Sequence, residues 1–294
     1  MLSDFPLLQN EPLSKYTAAR LGGPADWLYI ARDSNEKLVE VVSAAWRDGI
    51  PVRVLGGGAN VLVSDDGFRG LVVINRVGKV AFNDAAVTVT AGMSLTVMAR
   101  KCATQGLAGF EWAVSVPGTV GGAVVNNAGA HGGDMASCLR SAALVDLQHG
   151  TQMLTNADLA YEYRSSALKR REDRRFLVTM ATLTLKHDTP AAINARMEDF
   201  IAHRKRTQPP GASLGSIFKN PSGDYAGRLI EACGLKGSKI GGAQVSPIHG
   251  NFFINTGATS ASDYYRLISL VREKVSEKTG VLLETEVELL GVGF

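Results

Sequence analysis

The sequence is poor in cysteine, in long apolar runs and in net charge, and each absence excludes a class of protein. Its 294 residues include three cysteines, Cys102, Cys138 and Cys233, which are too few and too scattered for a disulfide framework. No stretch approaches the roughly 18 uninterrupted apolar residues of a membrane helix. Lysine and arginine (31) exceed aspartate and glutamate (28) by only three, so no overall field favours nucleic acid or a membrane surface.

What is present is the composition of an ordinary globular protein. Apolar residues make up 45% and charged residues 20% of the chain, which excludes a largely disordered sequence. Met1–Asn10 contains no basic residue and no long apolar run, so we expect no secretory leader and a cytoplasmic location. A length of 294 residues suits two or three domains.

Hydrophobic periodicity predicts an α+β protein with a break near residue 205. Helices are predicted after the N-cap Ser34 and over Ser94–Gln105, Pro190–Arg206, Tyr225–Cys233 and Ser262–Thr279. Strands are predicted at Trp27–Ala31, Pro51–Leu55, Val61–Val63, Leu71–Ile74, Ala86–Thr90, Leu144–Leu147, Phe176–Leu185, Asn251–Asn255 and Val281–Leu290.

Two glycine-rich loops, Gly56–Asn60 and Pro117–Gly122, are the first features that suggest a ligand. Successive glycines let the backbone approach a ligand closely and let several N–H groups converge on an anion. Two such loops would suit a pyrophosphate held from both sides, although either loop alone could be a tight turn. The chain contains no G-x-G-x-x-G after a strand and no G-x-x-x-x-G-K-[ST], so the scaffold is neither a Rossmann fold nor a P-loop fold.

Gly211–Gly215 matches the G-x-S-x-G pattern of a hydrolase nucleophile elbow, with Asp224 and His249 following in the required order. An elbow lies between a strand and a helix, whereas prolines both precede and follow this segment. We therefore predict no hydrolase. Ser216, the next hydroxyl, precedes the polar pair Lys219 and Asn220, although a lone serine there could equally be a turn residue.

Seven segments, spread in order over nearly the whole chain, carry a resemblance to a known family. They are Thr17–Asp26, Leu55–Leu62, Val116–Gly122, Tyr163–Ser166, Gly215–Pro221, Ile240–Ser246 and Leu283–Val287. Together they resemble the UDP-N-acetylenolpyruvoylglucosamine reductases, the MurB family.

The resemblance implies a domain organisation and a cofactor. It implies a two-lobed FAD-binding domain of the vanillyl-alcohol-oxidase (PCMH) type, with lobe 1 over residues 1–76 and lobe 2 over residues 77–204, and a C-terminal α+β substrate-binding domain over residues 205–294. FAD would be bound non-covalently, although His131 near the second loop leaves covalent attachment as an alternative. The expected FAD contacts are Gly56, Gly57, Gly58, Ala59, Asn60, Val61, Pro117, Gly118, Thr119, Gly121, Gly122, Asn127 and Gly129.

The resemblance also implies a reaction and three catalytic residues. NADPH would reduce FAD and leave, and UDP-N-acetylglucosamine enolpyruvate would then be reduced to UDP-N-acetylmuramate, a step in peptidoglycan precursor synthesis. Arg164 would bind the enolpyruvyl carboxylate, and Glu286, carrying a proton, would hydrogen-bond the negative charge that develops there. Ser216 would donate the proton that quenches this charge.

Only a short stretch separates Pro221 from Gly241, so the chain resembles the shorter class of the family, which lacks a tyrosine-bearing loop over the UDP-sugar. The expected substrate contacts are then Lys219, Asn220, Gln244 and His249. We expect a monomer with no metal ion, no nucleic-acid partner and no membrane insertion. Two alternatives stay open: an FAD-dependent hydroxy-acid or alcohol oxidoreductase on the same scaffold, and a non-catalytic flavin or nucleotide-sugar binding protein.

Overall fold

The structure is a computed structural model that describes residues 2–294. It contains two compact units, and each is assembled from separate segments of the chain. Unit 1 comprises Met1–Leu8, Leu28–Gly57 and Gly70–Arg204. Unit 2 comprises Gln9–Trp27, Gly58–Arg69 and Lys205–Phe294.

Helices and strands alternate along most of the described chain. The α-helices are α1 Asn35–Arg47, α2 Leu95–Thr104, α3 Val120–Asn126, α4 Pro190–Thr207, α5 Ala226–Ala232 and α6 Ala261–Thr279. The strands are β1 Leu8–Pro12, β2 Pro24–Ala31, β3 Val52–Leu55, β4 Val61–Val63, β5 Phe68–Asn75, β6 Val80–Asn83, β7 Ala86–Thr90, β8 Leu107–Ala108, β9 Gly129–Ala130, β10 Gly133–Asp134, β11 Leu139–Asp146, β12 Gly150–Thr155, β13 Phe176–Thr184, β14 Lys186–His187, β15 Ala212–Ser216, β16 Lys239–Ile240, β17 Ala243–Val245, β18 Phe252–Asn255 and β19 Glu288–Leu290.

Unit 1 is built on a five-stranded antiparallel sheet in the order β12-β11-β13-β7-β6. The parallel pair β3 and β5 belongs to a second sheet of order β1-β2-β5-β3. Helix α1 begins as predicted, because the Ser34 side chain accepts a hydrogen bond from the N–H of Lys37 at 3.3 Å. One apolar core, with Phe110 and Met98 fully buried in it, holds α2, α3 and the five-stranded sheet together.

Unit 2 contains a four-stranded antiparallel sheet, β15-β18-β17-β16, and a parallel pair of β19 with β4. Its own core includes the fully buried side chains of Phe218, Phe253 and Tyr264. The Tyr264 hydroxyl donates to the carbonyl oxygen of Phe253 at 2.7 Å, so helix α6 is joined to the sheet by a buried hydrogen bond as well as by packing.

The predicted α+β class is confirmed, and one predicted strand is wrong. Of the predicted strand Val281–Leu290, only Glu288–Leu290 is a strand; Thr285 forms an isolated bridge with Phe218. Glu284, Glu286 and Glu288, which alternate along the sequence, therefore do not lie on one regular strand. Over residues 2–294, every helix is too short or too polar to cross a membrane.

Candidate cofactor and substrate site

The first two glycines of the Gly56–Asn60 loop pack closely against the Pro117–Gly122 loop within unit 1. A Cβ placed on Gly57 would lie 3.0 Å from the Cα of Gly118, and one placed on Gly56 would lie 2.1 Å from Oγ1 of Thr119. Neither contact leaves room for a side chain. Gly118 has a φ of +127°, a backbone conformation that favours glycine. These glycines are therefore needed to bring the two loops together.

The first loop, between β3 and β4, presents unused backbone donors. The carbonyl oxygen of Gly58 accepts a hydrogen bond from the N–H of Ala18 at 2.9 Å, which fixes the middle of the loop. The N–H groups of Gly57, Gly58 and Ala59 find no acceptor anywhere in residues 2–294. Val61 is buried in β4, so it can offer only its backbone. Adjacent free N–H groups on a glycine loop are suited to phosphate oxygens.

The second loop is fastened to the segment that precedes α2. The N–H groups of Val120 and Gly121 donate to Met93 and Ala91 at 2.9 and 2.8 Å, so these first donors of α3 are not open to a ligand. A Cβ on Gly121 would lie 2.9 Å from the Cβ of Ala91, whereas one on Gly122 would meet nothing closer than 3.8 Å. Packing therefore explains Gly121, and the chain itself gives no steric reason for Gly122.

Buried polar atoms on both sides of this loop fit a polar ligand. The hydroxyl of Ser115 and the Oδ1 atom of Asn126 are buried and have no hydrogen-bond partner among residues 2–294. Buried oxygen atoms in native folds are almost always hydrogen-bonded, so such atoms call for a partner from outside the chain. The adjoining Pro117 is exposed and Thr119 is buried. Within unit 1, the free N–H of Gly57 and these two oxygens suit a polar ligand such as a dinucleotide diphosphate.

Asn127 and Gly129 support the position of Arg164. Asn127 caps α3 with a φ of 45°, and its amide donates to the Glu162 carbonyl at 2.9 Å and accepts from the Ala136 N–H at 3.0 Å. The Arg164 guanidinium donates to the carbonyl oxygen of Gly129 at 2.7 Å. The Asn127 side chain is thus occupied within the protein, a scaffolding role that the motif did not reveal.

Ser216 and Glu286 lie on two paired segments of unit 2. Ser216 is the last residue of β15, and the next residue, Ile217, accepts a hydrogen bond at its carbonyl oxygen from the N–H of Glu286 at 2.8 Å. Both Ser216 and Glu286 are half-buried. The structure therefore brings together two of the three predicted catalytic residues through backbone pairing, although they are 70 residues apart in the sequence.

Asn60 links the first glycine-rich loop to Glu286, a contact that sequence reasoning missed. Its side-chain amide donates to the carbonyl oxygen of Glu286 at 3.1 Å, and its own carbonyl accepts from the N–H of Glu288 at 3.0 Å. Glu286 is consequently held at both its N–H and its C=O. No local pattern signals a bond between residues so far apart in sequence.

Three of the four predicted substrate residues are bonded within unit 2. The Lys219 ammonium pairs with Glu284 at 2.5 Å. The Asn220 side chain accepts from the N–H of Ala226 at 3.1 Å at the start of α5, and Nδ1 of His249 accepts from the N–H of Asn251 at 3.1 Å. Burial lowers the pKa of His249, which favours the neutral ring that this acceptor role requires.

Gln244, the fourth, makes only a long contact of 3.4 Å to the Gly237 carbonyl oxygen. Its amide is the least committed of the four to bonds within unit 2, so it is the one most able to turn toward a ligand.

The segment Gly211–Gly215, which matches the hydrolase motif, does not have the geometry of a nucleophile elbow. Ser213 lies inside β15, and the next helix begins only at Ala226, so there is no strand–turn–helix elbow. Asp224 accepts from the guanidinium of Arg228 at 2.6 Å instead of orienting His249. His131, named above as the alternative site for covalent attachment of FAD, lies in unit 1. Its ring stacks on that of Phe200, with the centroids 4.4 Å apart.

Comparison with known proteins gives first the class and then the family. Residues 28–156 match an FAD binding domain, which makes the chain a flavoprotein of the FAD-binding oxidoreductase class. Residues 207–290 match the C-terminal domain of UDP-N-acetylenolpyruvoylglucosamine reductase.

Full-length relatives carry the same name. The chain is 44% identical to the UDP-N-acetylenolpyruvoylglucosamine reductase of Synechococcus sp. (strain WH7803), covering 99% of this chain and 95% of that one. It is 41% identical to UDP-N-acetylenolpyruvoylglucosamine reductase 2 of Symbiobacterium thermophilum, covering 96% and 91%. The crystal structure of the Thermus caldophilus enzyme (MurB) matches with a TM-score of 0.82 and 34% identity, covering 97% and 100%. The chain belongs to the UDP-N-acetylenolpyruvoylglucosamine reductase (MurB) family, and the predicted family, fold class and FAD cofactor are confirmed.

Proposed function

We propose that this protein reduces UDP-N-acetylglucosamine enolpyruvate to UDP-N-acetylmuramate at the expense of NADPH, and that Arg164, Ser216 and Glu286 carry the substrate half of the reaction. FAD, when bound, supplies the two-electron chemistry that couples oxidation of NADPH to reduction of the vinyl ether. The free N–H groups of Gly57, Gly58 and Ala59 would hold its diphosphate.

Each proposed residue answers a need of the substrate. Arg164 is permanently charged and planar, so its guanidinium suits the enolpyruvyl carboxylate, and its bond to Gly129 keeps the group oriented. Glu286 would stabilise the developing negative charge by donating a hydrogen bond, which requires that it carry a proton. Ser216 would transfer a proton to the ether-bearing carbon and regain one from solvent through a relay.

The observation that carries this proposal is the pairing of the Ser216 and Glu286 segments through the Ile217–Glu286 backbone bond. A proton donor and a hydrogen-bonding acid that act on adjacent substrate atoms must be held in a fixed mutual arrangement. Two groups on loops that were not bonded to each other would not meet this condition.

Anaerobic absorbance spectroscopy tests the proposal. The purified protein should be yellow, NADPH should bleach its flavin band, and the enolpyruvyl UDP-sugar should restore it with formation of UDP-N-acetylmuramate. If reduced flavin were reoxidised by oxygen but not by the sugar, the reductase assignment would fail. A cytoplasmic location and a monomeric state remain predictions, and gel filtration of the holoprotein checks the second.

A further inference from the structure

We infer that Asn251 is a positioning residue for the reduction of the substrate: its side-chain amide holds the backbone of Phe218, and through that backbone it sets the positions of Ser216 and Glu286. The inference rests on the proposed function, because it assigns Asn251 a purpose only if Ser216 and Glu286 act on a substrate. Asn251 itself touches neither catalytic side chain and belongs to no motif that the sequence singled out.

Asn251 binds the segment after Ser216 with three hydrogen bonds. Its Oδ1 atom accepts from the N–H of Phe218 at 2.9 Å, and its Nδ2 atom donates to the carbonyl oxygen of Phe218 at 2.8 Å. Its own carbonyl accepts from the N–H of Ile217 at 2.9 Å. The residue is only 3% exposed, so water cannot replace these bonds. The amide therefore acts as a substitute for a neighbouring strand.

A substitute is needed because the ladder between β15 and β18 ends at Ser216. Ser216 pairs with Phe252, after a register shift that follows Ser213 and in which Gly215 takes a φ of 75°. Beyond this point the chain leaves the sheet, and Asn251, immediately before β18, continues the pairing by its side chain. The amide thus fixes the backbone at the place where the catalytic serine is presented.

The same short segment also fixes Glu286. The carbonyl oxygen of Ile217 accepts from the N–H of Glu286 at 2.8 Å, and the N–H of Lys219 donates to the carbonyl of Glu284 at 2.8 Å. These two bonds flank Phe218, whose N–H and C=O are both taken by Asn251. Loss of the amide would free the middle of this segment, and both catalytic residues would move with it.

Half-reaction kinetics test the inference with Asn251→Ala and a matched control, Asn255→Ala. Asn255 lies on β18 and also donates its amide to a backbone carbonyl, that of Ala19 at 2.9 Å, but far from Ser216 along the strand. In anaerobic stopped-flow experiments, we expect flavin reduction by NADPH in Asn251→Ala within about twofold of the unmodified protein. We expect reoxidation by the enolpyruvyl UDP-sugar to slow by about 10- to 100-fold, since small displacements of catalytic groups have effects of this size.

A solvent deuterium isotope effect adds a signature that a purely structural residue would not give. A displaced Ser216 makes proton donation slower, so the isotope effect on reoxidation should be larger in Asn251→Ala than in the unmodified protein and in Asn255→Ala. Asn251→Asp, which keeps the acceptor for the Phe218 N–H but loses the donor, is measured alongside and should also slow reoxidation selectively.

Every outcome decides the question. If the unmodified reduced protein is not reoxidised by the sugar, the proposed function fails, whatever Asn251 does. If it is reoxidised, the inference is overturned when both Asn251 variants match Asn255→Ala, or when they slow the two half-reactions equally. Failure of both variants to fold with bound FAD also overturns it, because Asn251 would then serve the fold and not the site.

Discussion

At the scale of single residues, neighbouring glycines of one motif have different reasons to be glycine. Gly121 is pressed against Ala91 by the fold, whereas Gly122 has room for a methyl group as far as the protein is concerned. If Gly122 is a glycine because the ligand lies close to it, a substitution should weaken ligand binding and leave the apoprotein unaffected. The motif alone predicted both residues as cofactor contacts and could not separate these roles.

Gly122→Ala should weaken FAD binding without destabilising the apoprotein. The added methyl group would enter the space expected for FAD, and overpacking of about 1–3 kcal/mol corresponds to a loss of affinity of roughly 5- to 150-fold. Because alanine favours helix over glycine, apoprotein stability should be unchanged or higher by about 0.5–1 kcal/mol. Flavin fluorescence titration and thermal unfolding of the apoprotein measure the two effects.

Gly121→Ala is the contrasting variant, since its methyl group would clash with Ala91 at 2.9 Å and should destabilise the apoprotein itself. Unchanged FAD affinity in Gly122→Ala would contradict a ligand contact at this position.

Ser216→Ala should separate the two half-reactions. Bleaching of the flavin by NADPH does not need a proton for the substrate carbon, so it should proceed at the normal rate. Reoxidation by the enolpyruvyl UDP-sugar should fall by about 10²- to 10⁴-fold, the usual contribution of a positioned general acid. Ser213→Ala, near the start of β15, is the matched control and should leave both rates within about twofold. Equal reoxidation rates in the two variants would remove Ser216 from the mechanism.

The sequence suggested which residues to propose for the chemistry, and it did not indicate which residues hold them in place. Arg164, Ser216 and Glu286 stand in recognisable motifs. Asn60 and Asn251 act through hydrogen bonds to backbone groups distant in sequence, of Glu286 and of Phe218. An asparagine has the same appearance in a sequence whether its amide faces solvent, a ligand or a distant carbonyl, so only the fold distinguishes these cases.

At the scale of elements, prediction failed in the segment that carries Glu286, one of the three residues proposed to be catalytic. Alternating residues over Val281–Leu290 indicated one strand, but only Glu288–Leu290 finds a strand partner, β4. The preceding residues bond instead to the segment 217–219, through Thr285 opposite Phe218 and the flanking backbone bonds. Alternation reports which residues are buried on one side, and it does not report whether a partner strand is available.

Helix α6 shows a capping device that local sequence does not reveal. Ser260 caps it as a conventional N-cap, accepting from the Asp263 N–H at 2.9 Å. Asp65, nearly 200 residues earlier in the sequence, accepts in addition from the N–H groups of Ala261 and Ser262 at 2.7 and 2.9 Å. Partial burial alone would raise the pKa of Asp65, but the Ser262 and Ala261 donors outweigh it and lower the pKa below its ordinary 3.8.

Asp65→Asn should therefore destabilise the protein in a pH-dependent way. A carboxylate whose pKa is lowered by folding stabilises the native state above its unfolded pKa, and this contribution disappears as the pH falls through the folded pKa. At pH 7 we expect the free energy of unfolding to fall by about 1 kcal/mol, the usual size of a capping effect. The loss is no larger because Asp65 is exposed and solvent screens the interactions of its charge. The difference from the unmodified protein should begin to shrink as the pH falls below about 3.8, where the unfolded chain takes up the proton first, and should vanish once the pH is below the lowered pKa of the folded carboxyl.

Thermal unfolding between pH 7 and pH 3 measures this difference. Asp66→Asn provides the control, because it removes the same charge from the adjacent position, whose carboxylate accepts no hydrogen bond from α6 among residues 2–294. A gap between Asp65→Asn and the unmodified protein that did not change with pH would show that the carboxylate charge is irrelevant to the cap.

At the scale of the whole molecule, the chain builds two units with separate cores from interleaved segments. Unit 2 takes Gln9–Trp27 and Gly58–Arg69 from the N-terminal part of the chain. The change of pattern near residue 205 is visible in the sequence. The two N-terminal segments of unit 2 are not visible, because three of their four boundaries, at Gln9, Trp27 and Arg69, fall inside strands. A domain assignment by composition assumes contiguous domains. The division of the N-terminal part into two FAD-binding lobes stays a prediction.

Removal of FAD should lower the stability of the protein, and the loss should depend on the diphosphate. A ligand present at 100 times its dissociation constant stabilises the native state by about 2.7 kcal/mol. For a chain of this size, that corresponds to a rise in Tm of roughly 5–10 °C. Differential scanning calorimetry of apoprotein, of apoprotein with FAD and of apoprotein with FMN measures the effect.

FMN carries the flavin ring and one phosphate, but it lacks the diphosphate that the free N–H groups of Gly57, Gly58 and Ala59 are expected to bind. At equal concentration it should therefore raise the Tm much less than FAD does. Equal shifts with FMN and FAD would mean that the loops contribute nothing specific to a dinucleotide, and their close packing at Gly57 and Gly118 would then be a feature of the fold alone.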